Sequence, residues 1–255
     1  MSDRKQSTIL AAGDHIGLIL PHKSVFRNEI IRHCHVKKAQ LCAPIFEACV
    51  VEHCQFEKCD ISGARFFDKT AWHHCQFKQT DLSGSGLSNS VFTGCTFIRC
   101  DFRQTSLAGC TFIDCVFENC KIIDNVLDAA NTRNCRFTGK LQEVNFIGQQ
   151  PETVLLADFD RCLLEYVAFE NCNLQQIVPP ADARHVYFKD MAQRAAKALA
   201  CIASQDDNAT SKLLKRRLKH YERQHGGIIN LNNLAEIEGK EFAGQLMALL
   251  EQAAP

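Results

Sequence analysis

The sequence predicts a mainly β solenoid followed by a C-terminal α-helical domain. From Ser24 onward a large apolar residue recurs at every fifth position, and a small residue stands two positions before most of these centres. After Pro179 and Pro180 the pattern ends, and apolar residues follow a helical spacing. A period of five matches neither the period of about 3.6 of a helix nor the period of two of a strand. A fixed internal repeat of this kind instead indicates a solenoid of stacked, similar units.

The large apolar centres run through most of the chain. One residue is inserted after Phe66, and the series then resumes at Trp72. The centres are Phe26, Ile31, Val36, Leu41, Phe46, Val51, Phe56, Ile61, Phe66, Trp72, Phe77, Leu82, Leu87, Phe92, Phe97, Phe102, Leu107, Phe112, Phe117, Ile122, Leu127, Thr132 and Phe137, with a later set at Phe159, Leu164, Phe169 and Leu174. Thirteen of the 15 cysteines occupy the small position. Two positions in every five therefore face inward, one small and one large.

The motif resembles that of the pentapeptide-repeat family. Cys95, Cys100, Cys110 and Cys115 each begin a stretch with the family's order of a small residue, one further residue and then Phe. The resemblance covers residues 24–176, with an interruption at 139–155. It implies that four pentapeptides make one square turn, which gives a right-handed quadrilateral β-helix. Such a solenoid buries a continuous core between stacked coils.

A coil of twenty residues predicts that like side chains stack on each of four faces. The first face stacks Val36, Phe56, Phe77, Phe97, Phe117 and Phe137, and its small positions form a ladder of Cys34, Cys54, Cys75, Cys95, Cys115 and Cys135. The second face stacks Leu41, Ile61, Leu82, Phe102 and Ile122. The third stacks Phe46, Phe66, Leu87, Leu107 and Leu127. The fourth stacks Ile31, Val51, Trp72, Phe92, Phe112 and Thr132. The first-face phenylalanines and cysteines are the predicted structural core, and the residue inserted near Phe66 and Phe67 predicts a corner bulge.

The predicted cysteine ladder is a packing feature rather than a metal or redox site. A structural zinc site needs four converging ligands, whereas a ladder presents one thiol per coil from a single wall. A dry interior also disfavours the thiolate. We find no catalytic triad spacing, phosphate-binding glycine loop or paired carboxylates. The sequence therefore predicts no enzyme activity, metal or cofactor.

The chain divides into three predicted parts. Residues 1–23 form an N-terminal segment or cap, residues 24–178 form the β-helix, and residues 179–255 form a helical capping and dimerisation domain. Helices are predicted over residues 183–204, 212–224 and 231–252. Residues 139–155 break the period and form either an irregular coil or a projecting loop.

The overall charge is balanced, with 29 basic and 29 acidic residues. This balance predicts neither direct nucleic-acid binding nor membrane binding. A chain with many cysteines, an odd number of them and no leader sequence is expected in the cytoplasm, where thiols stay reduced.

Candidate interaction residues lie on the outside of the predicted column and on the second helix. His33, His53 and His74 each precede a ladder cysteine, so their rings should point outward and stack. A separate row, made of acidic residues, directly precedes three of the second-face centres. The full candidate set is His33, His53, His74, Asp60, Asp81, Asp101, Glu143 and Gln149 on the column, with Arg216 and Arg217 in the basic second helix.

The predicted function is that of an interaction protein with a protective or immunity role, either shielding a type II topoisomerase or neutralising a toxin. The resemblance implies the first possibility, because members of the family imitate duplex DNA and bind DNA gyrase. Residues 24–178 carry 18 acidic and 15 basic side chains, a net charge of only −3, which weakens the DNA-mimic hypothesis. The alternative is a structural adaptor or chaperone of a secretion or effector assembly, with a secreted effector as its partner. A homodimer formed through the C-terminal helices is expected in either case.

Overall fold

The computed structural model describes residues 4–203 and 208–254 of the chain. Residue 204, the predicted end of a helix, lies outside the described residues, as do residues 1–3 and residue 255 at the predicted outer domain boundaries. The described residues form a column of stacked coils with a helical domain at its C-terminal end.

Short strands build the column, and four helices follow it. In chain order the elements are β1 (Lys5–Gln6), β2 (Gly13–Ile16), β3 (Val25–Arg27), β4 (Glu29–Arg32), β5 (Cys34–Lys37), β6 (Ile45–Glu47), β7 (Val50–Glu52), β8 (Gln55–Glu57), β9 (Arg65–Phe67), β10 (Ala71–His73), β11 (Gln76–Lys78), β12 (Val91–Thr93), β13 (Thr96–Ile98), β14 (Thr111–Ile113), β15 (Val116–Glu118), β16 (Ile122–Asp128), β17 (Thr132–Ile147), β18 (Thr153–Val154), β19 (Leu156–Asp158), β20 (Cys162–Glu165), β21 (Ala168–Glu170), β22 (Cys172–Asn173), β23 (His185–Phe188), α1 (Met191–Ile202), α2 (Ala209–Tyr221), β24 (Gly227–Asn230), α3 (Leu231–Glu238) and α4 (Lys240–Gln252).

Column strands are parallel and pair in register from one coil to the next. On the first face, β5, β8, β11, β13 and β15 place each large centre opposite the corresponding centre of the neighbouring coil. The rings from Phe56 to Phe137 stack with centroids 4.9–5.1 Å apart and planes within 11° of parallel. Every first-face phenylalanine and cysteine of the predicted core is at most 2% exposed. The predicted quadrilateral β-helix is confirmed.

The inserted residue is accommodated at a corner. Phe66 still pairs with Phe46, so the third face keeps its register. Asp68 and Lys69 follow with φ values of 51° and 58°, and Thr70 then takes the small position. The bulge therefore lies one or two residues beyond the predicted place, where the chain can lengthen without displacing an inward side chain.

The small positions make hydrogen bonds as well as contacts. In the described part of the chain, eleven thiols donate to the carbonyl of a large inward residue in the preceding coil, at Sγ···O distances of 2.9–3.6 Å. Thr80 and Thr105 make the same bond with their hydroxyls, at 3.0 and 2.8 Å. Burial raises the pKa of Cys110 and Cys162 to about 12, so these thiols stay protonated and able to donate.

The N-terminal residues add a further coil that closes the column. β1 pairs with β4, and β2 pairs with β5. Ser7 stands next in line above Ile31 on the fourth face, and its small side chain leaves room at the end of the core. The Ser7 hydroxyl accepts a hydrogen bond from the Leu10 amide at 3.1 Å, and the fully buried Leu10 side chain fills that room.

Residues 139–155 form an irregular coil rather than a projecting loop. Along β17, Leu141 pairs with Ile122 and Phe146 pairs with Leu127, so both stay on their faces. The next coil stacks on them through β20 and β21. Only residues 149–152 extend outward, as a corner turn between the third and fourth faces.

The helical domain covers the last coil and has its own core. Asn173 of β22 forms a bridge with His225, and the Tyr187 hydroxyl donates to the Leu174 carbonyl at 2.8 Å. The core of the domain contains Met191, Leu214, Leu218, Leu246 and Leu250, all buried. No helix in the described part of the chain is long and apolar enough to span a membrane.

The predicted helix boundaries differ from those of the structure, and the helix predicted over residues 212–224 is α2, Ala209–Tyr221. The helix predicted from residue 183 begins only at Met191, because the β-prone run His185–Phe188 pairs antiparallel with β24. The helix predicted over residues 231–252 is divided at Gly239, which has a φ of 92° and lies between α3 and α4. At its start, the Asn230 side chain caps α3 by accepting from the amides of Asn232 and Asn233.

Phe97→Asp should abolish cooperative folding, because it buries a carboxylate between Phe77 and Phe117 without a partner. Cys95→Ser should change the free energy of unfolding by no more than about 1 kcal/mol, because a hydroxyl can donate to the Trp72 carbonyl in place of the thiol. Urea titration followed by circular dichroism measures both. A Phe97→Asp protein as stable as the parent would contradict the stacked core.

Candidate interaction surface

Functional residues of the column must act from its outside, because side chains fill its interior. Each pentapeptide exposes the residues on either side of its large centre and the corner residue that follows. Parallel pairing aligns these positions from coil to coil, so the surface consists of rows of side chains. A candidate site on the column is therefore a row or a set of adjacent rows.

The three histidines form one such row, at the corner between the fourth and first faces. Their rings stack in parallel, with centroids 5.4 Å apart for His33 and His53 and 5.2 Å apart for His53 and His74. Each has a φ of 52°, in the left-handed region that suits a tight corner. All three are exposed. The described residues contain no group of three or more histidine, cysteine, aspartate or glutamate side chains placed to hold a metal ion.

Gly94 ends the histidine row. It occupies the same corner position one coil later, with a φ of 63°. A Cβ atom at Gly94 would lie 2.5 Å from Nδ1 of His74. Because histidine adopts the same left-handed conformation at the preceding corners, glycine is needed here mainly for the space that the His74 ring occupies.

The three aspartates form a row on the second face, where each takes part in its own turn. The Oδ1 atoms of Asp60, Asp81 and Asp101 each accept a hydrogen bond from the amide two residues later, at 2.8–3.0 Å. Asp101 is also paired with Arg103 at 2.6 Å and with Lys121 at 3.7 Å. Burial alone would raise the pKa of Asp101, but its hydrogen bonds with Arg103 hold the pKa below its usual range. The row therefore presents less free negative charge than its sequence suggests.

The remaining candidates do not join these rows. Glu143 lies at the corner after the second face, where its carboxylate accepts from the side chain of Gln142. Gln149 lies in the turn after the third face and donates to Asp128 at 2.6 Å. On α2, Arg217 forms an ion pair with Glu238, whereas Arg216 is exposed with no ion pair in the described part of the chain. The predicted residues are thus spread over several surfaces.

A further row, mostly of apolar side chains, lies on the fourth face and is not among the residues predicted from the sequence. On the fourth face, Ile30 pairs with Val50, Val50 with Ala71, Ala71 with Val91, and Val91 with Thr111. All five side chains point outward and are half-buried. We call this set the apolar row. Its sequence signal is an apolar or β-branched residue just before the large centre in every fourth pentapeptide.

The apolar row has a mixed border. Thr93 and Ile113, on the other side of the fourth-face centres, extend its apolar surface. Toward the N-terminal end, Arg32 and Glu52 form an ion pair at 2.6 Å. An uncharged centre with charged groups at the edge is the arrangement typical of a protein-binding surface.

Apart from the apolar row, a concave surface lies where the last coil meets the helical domain. It is a groove of about 190 Å³ lined by apolar residues, among them Val167, Phe169 and Leu234, and by polar ones such as Asn233 and Arg217. The Tyr166 hydroxyl donates to Glu236 across the junction at 2.5 Å. This contact and the contact between Glu152 and His225 at 3.1 Å join the helical domain to the column at the surface.

Comparison with known proteins identifies the repeat. The pentapeptide repeats family (nine copies) matches residues 77–121, and the same pattern of small and large inward residues continues in the coils on both sides. The chain is a pentapeptide-repeat protein. Among curated proteins, none matches this pentapeptide-repeat protein.

Several solved structures are similar to this pentapeptide-repeat protein. A trypsin-treated form of QnrB1, a plasmid-mediated fluoroquinolone resistance protein, is 16% identical over 70% of this chain and 86% of its own, with a TM-score of 0.46. HetL, involved in heterocyst differentiation regulation in the cyanobacterium Nostoc sp., is 11% identical over 65% of this chain and 91% of its own, with a TM-score of 0.26. These likenesses are distant, so the function must be inferred from this protein's own surface.

Gly94→Ala should destabilise the protein by about 1–3 kcal/mol more than Gly84→Ala. Both glycines have a positive φ, of 63° and 64°, so both substitutions carry the same backbone strain. Only at Gly94 would the new methyl group meet a neighbour, the His74 ring, whereas nothing lies within 4 Å of a Cβ at Gly84. Chemical denaturation of the two variants measures the difference. Adding His74→Ala to Gly94→Ala should remove it, and equal stabilities of the two single variants would contradict the assigned contact.

Proposed function

We propose that this pentapeptide-repeat protein is a non-enzymatic interaction protein that binds a protein partner on the fourth face of its column. The observation that carries the proposal is the apolar row, in which four apolar side chains and Thr111 lie next to one another on consecutive strands. Burial of such a surface supplies the main favourable term in protein association. The ion pair of Arg32 and Glu52 at one end supplies a polar edge.

The rigidity of the column supports this proposal. The backbone of the fourth face is held on both sides by parallel pairing, and its inward side chains are buried. A partner therefore binds a surface that is already ordered, which reduces the entropy lost on association. The filled interior leaves only outer surfaces for this role.

The sharper form of the proposal is a protective role, in which the bound partner is shielded from a poison or is itself a neutralised toxin. Protection by imitation of duplex DNA would need a strongly acidic column, yet the net charge of residues 24–178 is −3 and Asp101 is paired with Arg103 and Lys121. The apolar row offers a mode of binding that does not depend on acidic charge. We therefore propose that a protected partner is held through the fourth face rather than through the aspartate row.

Val91→Lys combined with Thr111→Lys should lower affinity for the partner at least about tenfold, because it places two charges on adjacent strands of the apolar row. The matched control is Thr96→Lys combined with Val116→Lys, which changes the same residue types on paired strands of the first face. The partner is first captured from the native host with the parent protein and identified, and its affinity for each purified variant is then measured by calorimetry. Equal losses in the two double variants, or none in either, would sink the fourth-face proposal. A secreted effector as the captured partner would favour the adaptor role over the protective one.

The topoisomerase form of the protective role has its own test. Purified protein in micromolar excess should restore DNA supercoiling by gyrase in the presence of a quinolone. The Val91→Lys and Thr111→Lys double variant should restore less than the parent, and the first-face control should match the parent. Absence of any restoration by the parent would remove gyrase as the partner while leaving the fourth-face proposal to the capture experiment.

A further inference from the structure

Helix α2 presents a line of basic side chains to solvent. Lys212, Arg216, Lys219 and Arg223 follow one another at intervals of four, three and four residues, which places them on one side of the helix and of the turn after it. All four are exposed, and none has an ion pair among the described residues. We call this set the basic stripe. Arg217 does not belong to it, because Arg217 is paired with Glu238.

The opposite side of α2 is fixed in the core of the helical domain. Leu214, Leu218 and Tyr221 are buried there, with Leu218 fully so. The Asn208 side chain caps the helix by accepting from the Ser211 amide at 2.8 Å. The basic stripe is therefore carried by a helix whose orientation is set by the domain, so the backbone positions from which its side chains extend are fixed.

The composition of the exposed side decides between three kinds of anionic partner. A protein interface would need aromatic or large apolar anchors near its centre, and the stripe has none, since the large apolar residues Leu214, Leu218 and Tyr221 are buried. An amphipathic helix that enters a bilayer must offer its apolar side to the lipid, and here that side is occupied by the domain core. A nucleic-acid backbone needs only cations, because phosphate contacts supply most of its non-specific affinity.

The length of the stripe also fits a phosphate backbone. From Lys212 to Lys219 the helix rises about 10 Å, at about 1.5 Å per residue, and Arg223 extends the stripe in the turn after the helix. One strand of a duplex advances about 3.4 Å per phosphate along its axis, so the stripe spans several consecutive phosphates. Lysine and arginine side chains are long and mobile enough to adjust to that spacing.

We infer that the basic stripe of α2 binds the phosphate backbone of double-stranded nucleic acid without preference for base sequence. This differs from the expectation drawn from the balanced overall charge. Residues 179–255 contain 11 basic and 9 acidic side chains, and the net charge conceals that four of the basic ones stand in one line. The inference is independent of which protein binds the fourth face.

The test is fluorescence anisotropy of a labelled duplex of about 20 base pairs, titrated with the full-length protein between about 50 and about 200 mM salt. Four neutralised phosphates give an expected slope of log affinity against log salt of about −3.6, which is a loss of about a hundredfold over that range. Duplexes of two unrelated sequences should bind equally.

Paired variants assign the binding to the stripe. Arg216→Gln combined with Lys219→Gln should reduce the slope to about −1.8, because two of four phosphate contacts are lost. The control is Lys58→Gln combined with Arg99→Gln, which removes the same charge from two exposed corner residues of the column and should leave the slope unchanged. Unaltered thermal unfolding of both variants shows that the fold is kept.

Three results would overturn the inference. They are the absence of duplex binding at the lower salt concentration, an equal effect of the stripe and control variants, and tighter binding to a competing polyanion than to the duplex. The competitors are poly-glutamate, as the probe for an acidic protein, and phosphatidylcholine vesicles containing about one third phosphatidylserine, as the probe for a membrane.

Discussion

In-register stacking of each coil on the one before is the constraint on which the rest of this structure depends. Parallel pairing places Phe77 over Phe56 and Phe97 over Phe77, so that the rings, the thiols and the backbone groups all repeat together. A shift of one residue would move every inward side chain of a face to the outside. The chain therefore confines its irregularities to corners. The insertion at Asp68 and Lys69 and the turn at residues 149–152 both lengthen the path without moving a core residue.

The same constraint explains why residues with reactive side chains serve structural purposes here. The cysteines occupy the small position because a thiol fits it and also donates to the carbonyl of a large centre one coil earlier, as Cys95 does to Trp72. The aspartates of the second face accept hydrogen bonds from the backbone amides of their own turns, as Asp60 does from the Ser62 amide. Groups that resemble a redox centre or an acidic recognition surface thus satisfy backbone hydrogen bonds that the square coil leaves open.

Binding must involve surfaces whose residues are ordered by the stacked coils or the domain core but are not buried in them. On the column these are outward rows, and the apolar row of the fourth face combines apolar area with a rigid backbone. On the helical domain it is α2, whose buried side holds the basic stripe in place. The two surfaces differ in chemistry, since one is mainly apolar and the other is a line of basic side chains. The two partners that we propose would therefore bind separate parts of the molecule.

The sequence by itself determined which residues face inward, because a five-residue period acts through local geometry and repeats along the chain. It also placed His33, His53 and His74 in one exposed stack. Only the tertiary structure decided the path of residues 139–155, the strand His185–Phe188 and the charge pairing of Asp101 and Arg217. Each of these depends on a partner that the five-residue period does not specify, most often one distant in the chain, such as β24 for His185–Phe188 or Glu238 for Arg217. The apolar row falls between the two cases. Its residues are visible in the sequence, but they become one surface only when the coils stack in register.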